Sequence, residues 1–295
     1  MFPNPFDYYA PETCDDVYAL LHEHGYDAKV IAGGQSLLPM MKLRLAAPEV
    51  LVDVNNVADL RTMAVSDTGL RLGALTRHAE MERAQWPDYP LLSATAGHIA
   101  DPIVRNRGTM GGSLAHADPA ADWGAALLAL DARVTLADAA RSREVRLDDF
   151  FVDTFTTVLE PTELLTAIVI PAPPRESRPF GQYLKLERKV GDFAVVGVAV
   201  TASLDDAGRV VTAGIGLASV GPRPLKAQAA EALLVGQTLS PAVIREAAEA
   251  ASQAADPVSD RRGSAEYKRT MVRVFVERGL AKIQADWELV NRASA

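Results

Sequence analysis

Ala32-Gly33-Gly34-Gln35-Ser36 is the first of two glycine-centred loops in this chain; Gly108-Thr109-Met110-Gly111-Gly112-Ser113 is the second. The first follows the short apolar run Lys29-Val30-Ile31-Ala32, and the second follows a basic segment and opens a helical pattern. Glycine is favoured where backbone must come close to another group, because a Cβ blocks the approach and restricts φ. Successive N–H groups in such turns form an anion-binding concavity. A helix starting just after the turn adds about half a positive charge. Ser36, Thr109 and Ser113 supply further neutral donors. One such loop can hold a phosphate; two facing each other can hold a pyrophosphate, and so a dinucleotide. Neither matches G-x-G-x-x-G, and Gly34-Gln35-Ser36-Leu37 lacks the Lys-Ser/Thr pair of a P-loop.

The surroundings of the loops set the fold class. Thr13-Cys14-Asp15-Asp16 reads as a capping box, with Asp16 reaching back. Val17, Leu20 and Leu21 follow at helical spacing and Gly25 is the expected stop. The run from Lys29 is a strand entering the first loop, Leu37 to Leu45 a helix or turn, and Val50 to Val54 a second strand. That is a small α/β unit. A second unit begins near Asp59, with strands at Leu70–Leu75, Val134–Ala137 and Glu163–Ile170 and helices at Leu91–Ile99 and Ala120–Leu130. Pro171-Ala172-Pro173-Pro174-Arg175 has the proline density of an extended linker. Beyond it, Phe193–Leu204 and Val210–Val220 flank the hairpin signal Asp205-Asp206-Ala207-Gly208. Alanine-rich helices follow at Ala227–Leu234, Ala242–Ala255 and Ser264–Trp287.

Bulk properties exclude several classes. The 295 residues suit two domains, and 48% hydrophobic with 23% charged residues is ordinary for a globular chain. No run reaches the ~18 apolar residues of a membrane span. Met1-Phe2-Pro3-Asn4-Pro5-Phe6-Asp7 has neither a basic nor an apolar leader region, so a cytoplasmic protein without a signal peptide is expected. A net charge of −8 shows none of the basic excess of a nucleic-acid binder. The single Cys14 rules out an intrachain disulfide and any iron–sulfur cluster held by this chain's own thiolates. Cys14 itself is expected to be inert. Redox chemistry would therefore need a bound organic cofactor. His22, His24, His78 and His98 show no metal-ligand spacing, and no metal is expected.

Ile31 to Pro39, together with Ala100-Asp101-Pro102-Ile103-Val104-Arg105-Asn106-Arg107 and the second loop, resembles the two FAD-binding segments of one subunit type. That type is the medium, flavin-carrying subunit of carbon monoxide dehydrogenase-like molybdenum hydroxylases, within the xanthine oxidase family. His116-Ala117-Asp118-Pro119-Ala120-Ala121-Asp122 and Lys185-Leu186-Glu187-Arg188-Lys189-Val190-Gly191-Asp192-Phe193-Ala194 fit the same pattern, and the resemblance runs from Pro5 to about Ala285. It implies an α+β fold: a two-part FAD-binding domain of the vanillyl-alcohol-oxidase (PCMH) type over residues 1–175, with subdomains of about 1–57 and 58–175. A C-terminal domain of three-stranded antiparallel sheet plus helices over 176–288 follows.

By the same resemblance, Lys29, Val30, Ile31, Ala32, Gly33, Gly34, Gln35, Ser36 and Leu37 wrap the pyrophosphate and ribityl chain. Gly108, Thr109, Gly111, Gly112 and Ser113 face the diphosphate from the other side. His116 and Asp122 lie beside the ribose, ribityl or adenine parts. Ile99, Ala100, Val104, Leu164 and Leu165 form apolar walls, and Lys185 and Phe193 sit near the isoalloxazine. Three positions depart from the pattern: Gln35 stands where His is frequent, Met110 for a common Ile, and Phe193 where some members carry Tyr. FAD is expected to be noncovalent. On the residues alone, His116 is a helix cap or a cofactor contact, and Asp118 complements a helix dipole. Arg105 and Arg107 either neutralise a phosphate or pair across a subunit interface, and Arg261-Arg262-Gly263-Ser264 is a loop that could meet a partner.

The functional expectation is an electron-transfer subunit of a heterotrimer, often doubled into a dimer of heterotrimers. A large subunit carries the molybdenum cofactor and a small one the [2Fe–2S] clusters; FAD here passes electrons to an external acceptor. No catalytic residue is expected in this chain. The alternatives are a self-sufficient FAD-dependent oxidase or reductase, and a flavin-free assembly subunit.

Overall fold

In the computed structural model, residues 2–294 are described; Met1, at the end where no leader is expected, and Ala295 lie outside them. The chain runs β1 (Asp7–Tyr9), α1 (Cys14–His24), β2 (Ala28–Ile31), α2 (Leu37–Lys42), β3 (Val50–Asp53), β4 (Met63–Ser66) and β5 (Gly69–Gly73). Then come α3 (His78–Arg83), α4 (Pro90–Ala96), α5 (Pro102–Arg107), α6 (Met110–His116), α7 (Asp122–Ala129), β6 (Arg133–Ala137) and β7 (Ser142–Arg146). The middle ends with α8 (Leu147–Phe150), β8 (Phe151–Asp153), β9 (Thr156–Thr157) and β10 (Leu164–Pro171). The last part is β11 (Arg178–Leu186), β12 (Val196–Leu204), β13 (Val210–Ala218), β14 (Leu225–Lys226), α9 (Gln228–Leu234), α10 (Pro241–Ala254) and α11 (Ala265–Ser294).

Three main sheets and a two-stranded pair of β8 and β9 result. β1, β3 and β2 form a parallel sheet with β3 central, covered by Val17, Tyr18 and Leu21 of α1. Thr13 Oγ1 caps α1 by accepting from the Asp16 N–H at 3.2 Å. The carboxylate of Asp16 takes the Thr13 hydroxyl at 2.6 Å, not the Thr13 backbone N–H of a full capping box. Cys14 is half-buried, and burial pushes its thiol up, so the reactive thiolate is disfavoured.

The second unit is a five-stranded sheet in the order β4-β5-β10-β6-β7. Its β10 strand pairs antiparallel with both β5 and β6, which buries Ile168 and Ile170 with Leu72 and Val134. The apolar α7 is buried along its length because it is sandwiched: one side meets this core and the other meets β12 and β13. Helix and sheet come within backbone distance there. A Cβ on Gly216 would collide with the Ala125 carbonyl, and one on Gly214 with that of Ala129.

The C-terminal sheet has four strands in the order β11-β12-β13-β14 rather than the expected three. The extra strand is only Leu225–Lys226, too short to show as a hydrophobic run in sequence. Helices α9, α10 and α11 cover the sheet, burying Ile244, Ala247, Ala251, Val272, Val276, Leu280 and Ile283 against it. The last helix extends past the expected end at Trp287, to Ser294. The proline-rich stretch leaves β10 at Pro171 and reaches β11 at Arg178.

Candidate functional site

A cleft of about 930 Å³ opens where the parallel sheet, the five-stranded sheet and the first strand pair of the C-terminal domain meet. All the candidate cofactor contacts named from the sequence line it, from Lys29 through Leu37, both loops, His116 and Asp122 to Leu164, Leu165, Lys185 and Phe193. The fold therefore gathers at one place residues spread over most of the chain.

The two glycine loops meet, but they are not equivalent. In the first, Gly34 has φ +71°, a left-handed conformation that suits glycine. Among the described residues, the N–H groups of Gly33, Gly34, Gln35 and Ser36 have no acceptor in the chain. Ser36 precedes α2 without a side-chain capping bond, which leaves its hydroxyl available. This is an open run of donors facing the cleft. The second loop spends its amides on its own fold. Gly108 donates to Val104 O at 2.7 Å, Met110 to Thr76 O at 2.9 Å and Gly111 to Ala74 O at 2.9 Å. Gly112 donates to Thr109 Oγ1 at 3.2 Å and Ser113 to Thr109 O at 3.0 Å. The two loops therefore differ: the second is pinned between the end of β5 and α5.

The glycines also serve a different purpose from the expected one. A Cβ on Gly33 would lie 2.5 Å from Arg107 O and 2.7 Å from Gly108 Cα, so this glycine lets one loop rest on the other. A Cβ on Gly111 would lie 2.7 Å from Ala74 O. Close approach of chain to chain, more than of chain to ligand, excludes side chains at these positions.

Two residues absent from the sequence reading join the loops. Asn55 Nδ2 donates to Ala32 O at 2.7 Å, and Asn55 Oδ1 accepts from Arg77 Nη2 at 2.5 Å. Arg77 Nη1 in turn donates to Arg107 O. His78, set aside above as lacking metal spacing, is buried beside Gly108 and lines the cleft. Its Nδ1 accepts from Trp123 Nε1 at 2.9 Å. Burial, reinforced by Arg77 and Arg105, lowers the imidazole to about 4, so it is neutral at physiological pH.

The apolar wall has its own clamp. Ala100 adopts φ +44°, and its carbonyl and that of Ile99 accept from Arg105 Nη1 at 3.1 and 2.9 Å. Glu82 pairs with the same guanidinium at 2.8 Å. Arg105 is thereby engaged within the chain through Nε and Nη1. Arg262 likewise reaches inward, donating to Phe193 O and Ala194 O at 3.5 and 3.3 Å. Asp118 accepts from Ala120 N at 2.9 Å, a turn before α7. His116 is half-buried against Phe155, ring centres 5.0 Å apart, and burial lowers its pKa.

At the C-terminal rim, Asp122 accepts from the Tyr183 hydroxyl at 2.6 Å and pairs with Lys185 Nζ at 3.1 Å. Lys185 Nζ also donates to His98 O at 2.9 Å and lies 3.6 Å from Glu187. Burial pushes the Asp122 carboxyl up, opposed by Lys185 and Tyr183; burial and Asp122 push the Tyr183 phenol far up. Phe193 is half exposed at the mouth.

A dinucleotide fits these residues: a free N–H run for phosphate, apolar walls for rings, and a volume typical of large-ligand sites. Among the described residues no group of His, Cys, Asp and Glu is placed to hold a metal, and no helix is long and apolar enough to cross a membrane.

Comparison with known proteins agrees. Residues 4–173 match the FAD binding domain in molybdopterin dehydrogenase, and residues 181–283 the CO dehydrogenase flavoprotein C-terminal domain. The chain is 40% identical to the 6-hydroxypseudooxynicotine dehydrogenase complex subunit alpha of Paenarthrobacter nicotinovorans, over 96% of this chain and 95% of that one. It is 38% identical to the carbon monoxide dehydrogenase medium chain of Afipia carboxidovorans, over 97% and 99%. A solved carbon monoxide dehydrogenase from Hydrogenophaga pseudoflava superposes with TM-score 0.91 at 40% identity, over 95% and 98%. The chain therefore belongs to the FAD-binding medium-subunit family of the molybdenum hydroxylases, as an FAD-binding oxidoreductase subunit.

Proposed function

We propose that this chain is the electron-transfer subunit of a heterotrimeric molybdenum hydroxylase, holding noncovalent FAD that takes electrons from the [2Fe–2S] clusters of a small subunit, beside a large molybdenum-cofactor subunit, and passes them to an external acceptor. A dimer of heterotrimers and a cytoplasmic location are part of the same reading. FAD, when bound, supplies a redox centre that exchanges electrons singly or in pairs.

The chain's own residues bind and orient. The open N–H run of Gly33 to Ser36 receives the diphosphate, with Thr109 and Ser113 opposite. Ile99, Val104, Leu164 and Leu165 exclude water along the cofactor. Lys185, held by Asp122 and the His98 carbonyl, sets a fixed positive charge at the ring end. Phe193 is placed to cover the ring at the mouth.

One observation carries the reading. On the C-terminal side the cleft is lined by Lys185, Gly191, Asp192 and Phe193, and both ionisable groups there are paired, Lys185 with Asp122 and Glu187 and Asp192 with Arg188, rather than free for acid–base work. A self-sufficient oxidase would need an acid or base over the ring.

Purification of the complex from its host tests this. The expected result is FAD released on denaturation, plus two co-purifying chains, one large and one small and cysteine-rich. Recovery of the chain alone, with steady turnover of a small substrate, would overturn the electron-transfer role. Recovery without flavin would favour the assembly subunit.

A further inference from the structure

We infer that His78 is a direct ligand of the cofactor, donating from Nε2 to an oxygen of its diphosphate–ribityl stretch. This rests on the FAD reading above and adds a residue from outside both glycine loops.

Three observations converge. First, the tautomer is determined by chemistry. An indole N–H can only donate, so Trp123 Nε1 at 2.9 Å requires a bare lone pair on His78 Nδ1, and the ring hydrogen must sit on Nε2. The depressed pKa, to about 4, agrees with this neutral ring.

Second, that hydrogen is unspent. Among the described residues Nε2 has no acceptor in the chain, although the side chain is only 6% exposed. Nε2 itself keeps accessible surface, so it can donate to a ligand in the cleft that His78 lines.

Third, the ring is aimed at the site. A Cβ on Gly108 would lie 2.6 Å from Nε2 and 2.7 Å from Cδ2, and His78 and Gly108 both line the cleft. The His78 N–H also donates to Gly108 O at 3.2 Å, which holds backbone and ring to the same loop. The second loop, whose own amides other than that of Thr109 are consumed, thus regains a donor through the imidazole behind it. A neutral donor suits the position. Arg77 and Arg105 already supply positive potential there, and a neutral imidazole adds direction without a further charge.

The test separates the two ring nitrogens. In His78→Asn the amide oxygen stands near Nδ1 and keeps an acceptor for Trp123, but the donor at the Nε2 position is gone. His78→Gln carries an amide out to the Nε2 position; it is paired with Trp123→Phe, so that no indole N–H is orphaned. Full-length apo-chains are titrated with FAD by flavin fluorescence, and their melting is followed without FAD.

Wild type is expected to bind FAD. His78→Asn should bind about tenfold to a hundredfold more weakly, while its apo melting temperature stays close to wild type. His78→Gln with Trp123→Phe should retain affinity within a few-fold. Unchanged affinity in His78→Asn overturns the inference, as does equal loss in both variants. A wild-type chain that takes up no FAD overturns the FAD reading itself, a distinct outcome.

Discussion

Asn55 accepts a hydrogen bond from Arg77 at 2.5 Å while its own amide donates to Ala32 at 2.7 Å, and this pair ties the two glycine loops together. Arg77 completes the tie at the Arg107 carbonyl. The loops come from different sheets, so without the tie their spacing would rest on the Gly33–Gly108 contact alone. Asn55→Ala should therefore lower stability by roughly 1–3 kcal/mol, with the carbonyl of Ala32 and Nη2 of Arg77 losing their Asn55 partner. Thermal melting and flavin content after purification measure it; an unchanged flavin ratio would show that the loops hold their spacing without Asn55.

Gly33→Ala should be far worse than its size suggests. The added methyl would sit 2.5 Å from a backbone oxygen that cannot rotate away, so the loops must separate. Loss of FAD retention is expected. Gly97→Ala is the control: its Cβ would meet only Ser93 O at 4.0 Å, and its backbone is helical. That variant should be neutral or stabilised by up to about 1 kcal/mol. Equal flavin loss in both would remove the steric explanation.

Lys185→Met removes the cation from a buried pair and leaves Asp122 held by Tyr183 alone. Breaking a buried pair at one partner costs about 3–5 kcal/mol at neutral pH, because the remaining charge is uncompensated. Adding Asp122→Asn to that variant should recover much of the loss. A double variant as unstable as the single one would mean that Lys185 acts through packing. Denaturant unfolding at fixed pH distinguishes the two.

Acid should destabilise the fold through His78. Its folded pKa of about 4 lies below the usual 6.5, so its contribution is fully present above 6.5 and is lost as pH falls towards 4. The depression corresponds to about 3 kcal/mol across that window. The melting temperature of wild type should fall more steeply between these values than that of His78→Asn. Parallel curves would mean that His78 titrates as it does in the unfolded chain.

Gly216→Ala probes the contact between the two domains. Its methyl would run into the Ala125 carbonyl of α7, where helix and sheet backbones touch. A loss of several kcal/mol is expected, together with a shift of melting for the whole chain. A single early transition limited to the C-terminal part would show that the domains melt separately.

The local signals were readable from the residues themselves. Glycine pairs, the Thr13 cap, the alanine-rich run of α10 and the hairpin at Asp205 act over a few neighbours, so the local sequence exposes them. Lys185 and Asp122 were placed at the cleft by the family resemblance of the motifs that carry them. Asn55, Arg77 and His78 gave no such signal. Asn55 lies 23 residues from Ala32 and 22 from Arg77, and His78 lies 45 from Trp123. Their roles exist only once the sheets are packed.

By itself, then, the chain's sequence determined which backbone segments can approach a dinucleotide, because glycine conformation and capping are local properties, and its motifs carried the family resemblance. The tertiary structure decided which cradle stays open. Packing the second loop against Ala74, Thr76 and Val104 takes the amides of Gly111, Met110 and Gly108, whereas the first loop, beyond the end of β2, meets no acceptor and keeps its donors for a ligand.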